Sequence, residues 1–191
     1  MAAKRERWRA AVRPGLDPDQ LVFLDETAAK TNLARTHGYA PKGQRLEGEA
    51  PYRRWQTTTS LGAMRAGGFI APLGVDGAMT SELFLAYVKQ VLVKELKEGD
   101  VVVMDNLSGH TQQAVREALE GAGFRVEYQP PYRPDLNPIA LAFSKLKRLL
   151  RKAAARTAEA LWEAIGRLLD QFGPEECANY FRHRGYASTP S

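Results

Sequence analysis

Val101-Val102-Val103-Met104-Asp105-Asn106-Leu107-Ser108-Gly109-His110 sets four consecutive apolar residues against an acid and a polar, glycine-containing turn. A short run that is apolar at every position, with no alternation, predicts a strand covered on both faces, and such strands sit inside sheets flanked by helices. Leu21-Val22-Phe23-Leu24 has the same character and is closed by Asp25. A first strand is therefore predicted at roughly 20–25, ended by Asp25-Glu26-Thr27. From Trp55 to Met64 the chain is β-prone, and after a turn at Gly67-Gly68 the stretch 69–75 suggests its antiparallel partner. Pro72 in that partner favours an edge strand or a bulge.

The remaining segments fill in around these strands. Residues 30–54 are rich in Gly, Pro and Arg and too long for a turn, so an irregular hairpin or surface excursion is expected. Between Ser81 and Leu96 the period changes: Leu83, Phe84, Tyr87, Val88, Val91 and Leu92 recur at helical spacing, and Gly99 stops the helix. Thr111 can cap a helix over about 112–121, with Val115, Ala118 and Leu119 facing inward. Phe124, Val126 and Tyr128 alternate with polar neighbours as a half-buried fifth strand. Asn137-Pro138 opens a helix in the preferred order of cap and first residue, running to about Ala154. Thr157 caps a last long helix carrying Leu161, Ile165, Leu168 and Leu169 and ended by Gly173-Pro174. Three strands, helix, strand, helix, strand and then helices make an α/β fold, a mixed five-stranded sheet flanked by helices.

A chain of 191 residues suits one domain. The expected division is a lead-in or linker over 1–19, the domain over 20–186 and a tail over 187–191. No apolar run is long enough to cross a membrane, and the charged N-terminus lacks the apolar stretch of a secretory signal. The cytoplasm is the expected compartment. The single Cys177 excludes an intrachain disulfide and a cysteine-built metal site. A net charge of +5 and a pI near 9.4 are compatible with a polyanionic partner without requiring one.

In open α/β sheets, ligands gather beyond the carboxyl ends of the strands, where Asp25 and Asp105 are predicted. Oxygen ligands suit hard divalent cations. Two strand-borne aspartates joined by a third acid at a helix start can hold a metal pair roughly 3.5–4 Å apart, the arrangement used for phosphoryl transfer. Strand-terminal aspartates also commonly cap loops, and composition alone leaves both readings open.

Leu-Asp-Glu-Thr (24–27), Val-Val-Met-Asp-Asn-Leu-Ser-Gly-His (102–110) and Pro-Pro-Tyr-Arg-Pro-Asp-Leu-Asn-Pro-Ile (130–139) together resemble the catalytic domain of the mariner-superfamily transposases, in the branch found in bacterial insertion sequences. The resemblance runs from about Leu21 to Tyr186, and three blocks in this order and spacing are far more specific than one Leu-Asp-Glu. It implies a ribonuclease-H-like fold, in agreement with the element order, and makes Asp25 and Asp105 the first two catalytic acids and metal ligands. In the family the third acid follows Asn-Pro-Ile, separated from the second by thirty-four residues. Residues 106–139 keep that separation here, yet the position holds Ala140. The register is intact, and deliberate replacement or decay of a copy would each leave this mark. Glu26 should point to the opposite face from Asp25, and Asp135 belongs to the loop before the helix, so neither is expected to replace the missing acid.

Among other candidates, Asn106 and His110 flank the second acid as supporting residues, although a locally bonded loop histidine is an equal reading. Asn137 reads as a helix cap rather than a DNA contact. Lys145, Arg148, Lys152 and Arg156 are spaced as one exposed helical stripe for DNA phosphates, with Arg53 and Arg54 as a second basic pair. Trp55, Trp162 and Tyr180-Phe181 read as core.

The resemblance implies a Mg2+- or Mn2+-dependent transposase catalytic domain that cleaves and transfers strands of double-stranded DNA, at transposon ends and target. Ala140 makes this chain inactive or severely impaired by that reading. A non-catalytic DNA-binding or assembly module is the alternative. A homodimer, action at the bacterial nucleoid, and an N-terminal helix-turn-helix region for which this chain starts too late are also implied.

Overall fold

The computed structural model describes residues 6, 8, 10, 15–35, 37–47, 55–105, 109–130 and 134–186. Strands β1 (Leu21–Lys30), β2 (Thr57–Arg65), β3 (Gly68–Asp76), β4 (Val101–Met104) and β5 (Arg125–Tyr128) form one sheet in the order β3-β2-β1-β4-β5. The β3-β2-β1 meander is antiparallel, whereas β1-β4 and β4-β5 are parallel. This is the mixed five-stranded sheet expected from the sequence, with β4 covered on both faces throughout.

The predicted end of the first strand needs correction. β1 does not stop at Asp25 but continues to Lys30. Its register with β4 ends at Leu24↔Met104, while its register with β2 runs on to Lys30↔Thr57. Past Asp25 the strand is held on one edge only, and its burial alternates, with Thr27 and Ala29 inside and Glu26, Ala28 and Lys30 outside. Pairing with β2 overrides the weak strand propensity of these residues. At the far edge, Leu61↔Leu73 is followed by Ala63↔Ile70, so Ala71 and Pro72 together oppose Gly62. Pro72 thus occupies both an edge strand and a bulge, where its missing N–H breaks no ladder.

The first helical run, α1, begins at Ser81–Tyr87, passes through a π-helical segment at Val88–Leu92 and ends at Val93–Glu95. Helix α2 spans Gly109–Gly121, so Thr111 lies inside it instead of capping it. A 3-10 turn at Pro134–Leu136 leads into α3 (Pro138–Ala153), followed by α4 (Ala158–Leu169) and α5 (Pro174–His183). Gly173-Pro174 ends one helix and opens another, because proline at the first helical position fits a helix start. The helix from Thr157 is therefore not the last.

Strand alternation divides the core between the two sheet faces. Leu21, Phe23, Val101 and Val103 pack against α3, α4 and α5. Val22, Leu24, Val102 and Met104 pack against α1 and α2. Trp8 and Leu16, from the stretch read as a lead-in, are buried in the first of these clusters. Trp55 and Trp162 are 52% and 43% exposed, which corrects their reading as core, whereas Phe181 is fully buried.

Candidate active site

Asp25 and Asp105 directly follow Leu24↔Met104, the last parallel pair of β1 and β4. Leu21 and Phe23 on one strand, and Val101 and Val103 on the other, face α3–α5. Two further steps of alternation carry Asp25 to that same face, and Asp105, just beyond the end of β4, lies near enough for its charge to act on Asp25. Glu26 projects from the other side.

Asp25 is fixed from two directions. The Glu26 backbone N–H donates to its Oδ1 at 2.7 Å, and the Asn137 side-chain amide donates to its Oδ2 at 2.9 Å. Burial pushes its carboxyl up to about 6, the charge of Asp105 pushes the same way, and the two hydrogen bonds pull it back only in part.

Asn137 is the backbone cap of α3, as the sequence predicts, but its side chain makes no capping hydrogen bond and turns to Asp25 instead. The peptide just before it is held as well. The Leu136 carbonyl accepts from Gln129 Nε2 at 2.9 Å and from the Tyr186 hydroxyl at 2.9 Å, and Tyr186 in turn accepts from Trp8 Nε1 at 3.3 Å. Sequence reading missed this support. Asn-Pro carries a strong helix-start signal that conceals the side chain's second partner, and residues as distant as Trp8 and Tyr186 carry no local signal at all.

Ala140 lies in the first turn of α3, three residues beyond Asn137 and partly buried. That turn contains no acid. An acid there would gain from the helix dipole, and Asn137 already anchors the turn at Asp25. Among the described residues, no three His, Cys, Asp or Glu side chains group to hold a metal.

The four basic residues of the stripe have different surroundings. Lys145 Nζ contacts both Glu176 carboxylate oxygens at 2.7 Å and lies 4.7 Å from the centre of the Phe172 ring. Arg156 lies beyond the end of α3 and donates to the Thr31 and Leu33 carbonyls at 3.3 and 2.8 Å. Both cations thus make contacts within the fold. Arg148 and Lys152 remain exposed on α3. Arg53, Arg54 and Asn106 lie outside the described residues, as does the side chain of His110, whose backbone falls in the first turn of α2.

The mixed five-stranded sheet flanked by helices, with Asp25 and Asp105 at the ends of adjacent parallel strands, is a ribonuclease-H-like fold. The family model of the DDE superfamily endonucleases matches residues 20–162, and the chain belongs to that family. No curated protein matches it in sequence. Among solved structures, the fold is that of the mariner Mos1 transposase. The pre-cleavage Mos1 transpososome is similar at TM-score 0.70 and 18% identity, over 95% of this chain and 56% of that one. The Mos1 catalytic domain with Raltegravir and Mg aligns at TM-score 0.67 and 16% identity, over 95% of this chain and 84% of that one. The Mos1 paired end complex with Mn aligns at TM-score 0.63 and 16% identity, over 95% and 55%. The chain thus spans little more than half of the Mos1 chain in the DNA assemblies.

Proposed function

We propose that this chain is a DNA transposase catalytic domain whose strand cleavage and strand transfer are disabled by Ala140. The observation that carries the reading is the convergence of Asp25, Asp105 and the first turn of α3 on one corner of the sheet. Asp25 and Asp105 offer only oxygen donors, the set that Mg2+ or Mn2+ prefers. They suffice to hold one such ion, and a second would lack the acid at position 140. When bound, the metal ions supply Lewis-acid stabilisation of the phosphate and of the attacking and leaving oxygens.

The protein's own groups have distinct tasks in this reading. Asp25 and Asp105 hold the cations, and the Glu26 amide and Asn137 keep the Asp25 carboxylate in place. Arg148 and Lys152 on α3 would meet backbone phosphates of double-stranded DNA, with Arg53 and Arg54 as further candidates. Solved Mos1 assemblies include a paired-end complex with the left transposon end, which supports transposon-end DNA as a substrate; target DNA and dimeric action belong to the same proposal. Salt-sensitive phosphate binding would persist without catalysis. Ala140 itself favours the second reading, a DNA-binding or assembly module that kept the scaffold and lost the reaction.

The A140E variant separates the two. With Mn2+ and supercoiled plasmid, A140E should nick DNA, while the present chain and the A140E/D25N double variant should not. Loss of one anionic ligand typically removes several kcal/mol of transition-state stabilisation in such sites, so the expected gain is at least about a hundredfold. No nicking by A140E, with plasmid binding retained, would select the binding-module reading.

A further inference from the structure

We infer that Asn137 is a positioning residue for the metal site, holding the Asp25 carboxylate in its ligating orientation through the side-chain amide. The inference rests on the proposal that Asp25 binds a divalent cation, and it assigns to Asn137 a task beyond that of capping a helix.

Three observations lead to it. Asn137 is 7% exposed, so its carboxamide has little access to water. Its Nδ2–H donates to Asp25 Oδ2 at 2.9 Å, across 112 residues of sequence, while the capping bond that an asparagine ordinarily makes at this position is absent. The side chain has therefore given up its local partner for a distant one. Its Oδ1 is also buried with no hydrogen-bond partner among the described residues. A buried orphan acceptor is costly, and a residue selected only to cap α3 would not incur it.

The orientation of the amide follows from charge. With Oδ1 turned toward Asp25, two acceptors would face each other, so the N–H must point to the carboxylate. The backbone carrying the amide is equally constrained, because two hydrogen bonds converge on the preceding Leu136 carbonyl. Asn137 is thus a fixed donor aimed at Asp25 from a fixed peptide. With the Glu26 N–H on Oδ1, it leaves each carboxylate oxygen one lone pair for a cation. Groups that orient a metal ligand in this way typically change metal affinity by about ten- to a hundredfold when removed.

Serine at this position distinguishes positioning from capping. N137S keeps a good N-cap residue, but its hydroxyl is too short to reach Asp25. Binding of Mn2+ is measured by electron paramagnetic resonance of the free ion, alongside the thermal midpoint, in the present chain and in A140E. The expected result is roughly tenfold weaker Mn2+ binding by N137S in both backgrounds, with a midpoint close to that of its parent. D25A should abolish the binding. If N137S binds Mn2+ as tightly as its parent while D25A does not bind, the positioning role is overturned and the metal site stands. If D25A binds as tightly as its parent, or neither parent binds Mn2+, the metal site itself is overturned and the role of Asn137 with it.

Discussion

At the scale of one residue, the pressure on Asp25 can be measured in the metal-free protein. Its carboxyl is raised from 3.8 to about 6, mainly by burial and next, among the groups that raise it, by the Asp105 charge. A carboxyl whose folded value exceeds its unfolded value binds its proton more tightly in the folded state. Stability from this group is therefore greatest below about pH 4 and declines as the pH rises through 6, after which the whole penalty is present. D25N removes the charge and keeps the shape, and the Asn137 amide can turn over to accept from the new carboxamide. In EDTA at pH 7.5, D25N should be more stable than its parent by ~3 kcal/mol, and the advantage should largely vanish near pH 4. Urea titrations at the two pH values measure it. An equal advantage at both would mean that charge burial is not its source.

At the scale of the element, α3 shows how much the sequence discloses. Its start at Asn137-Pro138 and its end near Ala154 are written in local chemistry and appear as expected. The same holds for β4, whose unbroken apolar run admits no other place in the sheet. Two features depend instead on partners remote in sequence. β1 runs past Asp25 because β2 continues beside it, and Asn137 abandons its cap because Asp25 lies within reach. Lys145 shows the same limit, since helical spacing discloses its place on a helix but not the Glu176 carboxylate on a neighbouring one. The C-terminus of α3 also carries a local fault. Ala154 has φ 52° and ψ 36°, a left-handed conformation in which its Cβ crowds the backbone, and its side chain is exposed. A154G removes the crowding with no loss of buried surface. It should raise stability by about 1 kcal/mol and the thermal midpoint by a few degrees. A fall in the midpoint would show that the entropy lost by a flexible glycine outweighs the strain.

Across the whole molecule, the site corner is closed by chain segments far apart in sequence. Trp8 and Tyr186 are 178 residues apart, yet the indole N–H of one meets the hydroxyl of the other, and that hydroxyl reaches the carbonyl beside Asn137. Trp8 is 3% exposed and belongs to the same core cluster as Phe23, Ile139 and Phe181. Its stretch was expected to be a lead-in because its charge and its Pro and Gly residues dilute the apolar signal, and one tryptophan has no periodicity to show. Burial of so large a ring outweighs that polarity. W8A should therefore destabilise the protein by about 3 kcal/mol or more, from lost burial and the space left behind. W8F keeps an aromatic ring but loses the N–H and part of the indole volume, so it should cost less than W8A, about 1–2 kcal/mol. Urea unfolding of the two variants beside the parent gives the comparison. A stretch that merely led into the domain would leave all three curves superimposed. A stretch that closes the core should shift them in the order parent, W8F, W8A, because the indole supplies one hydrogen bond but far more buried surface.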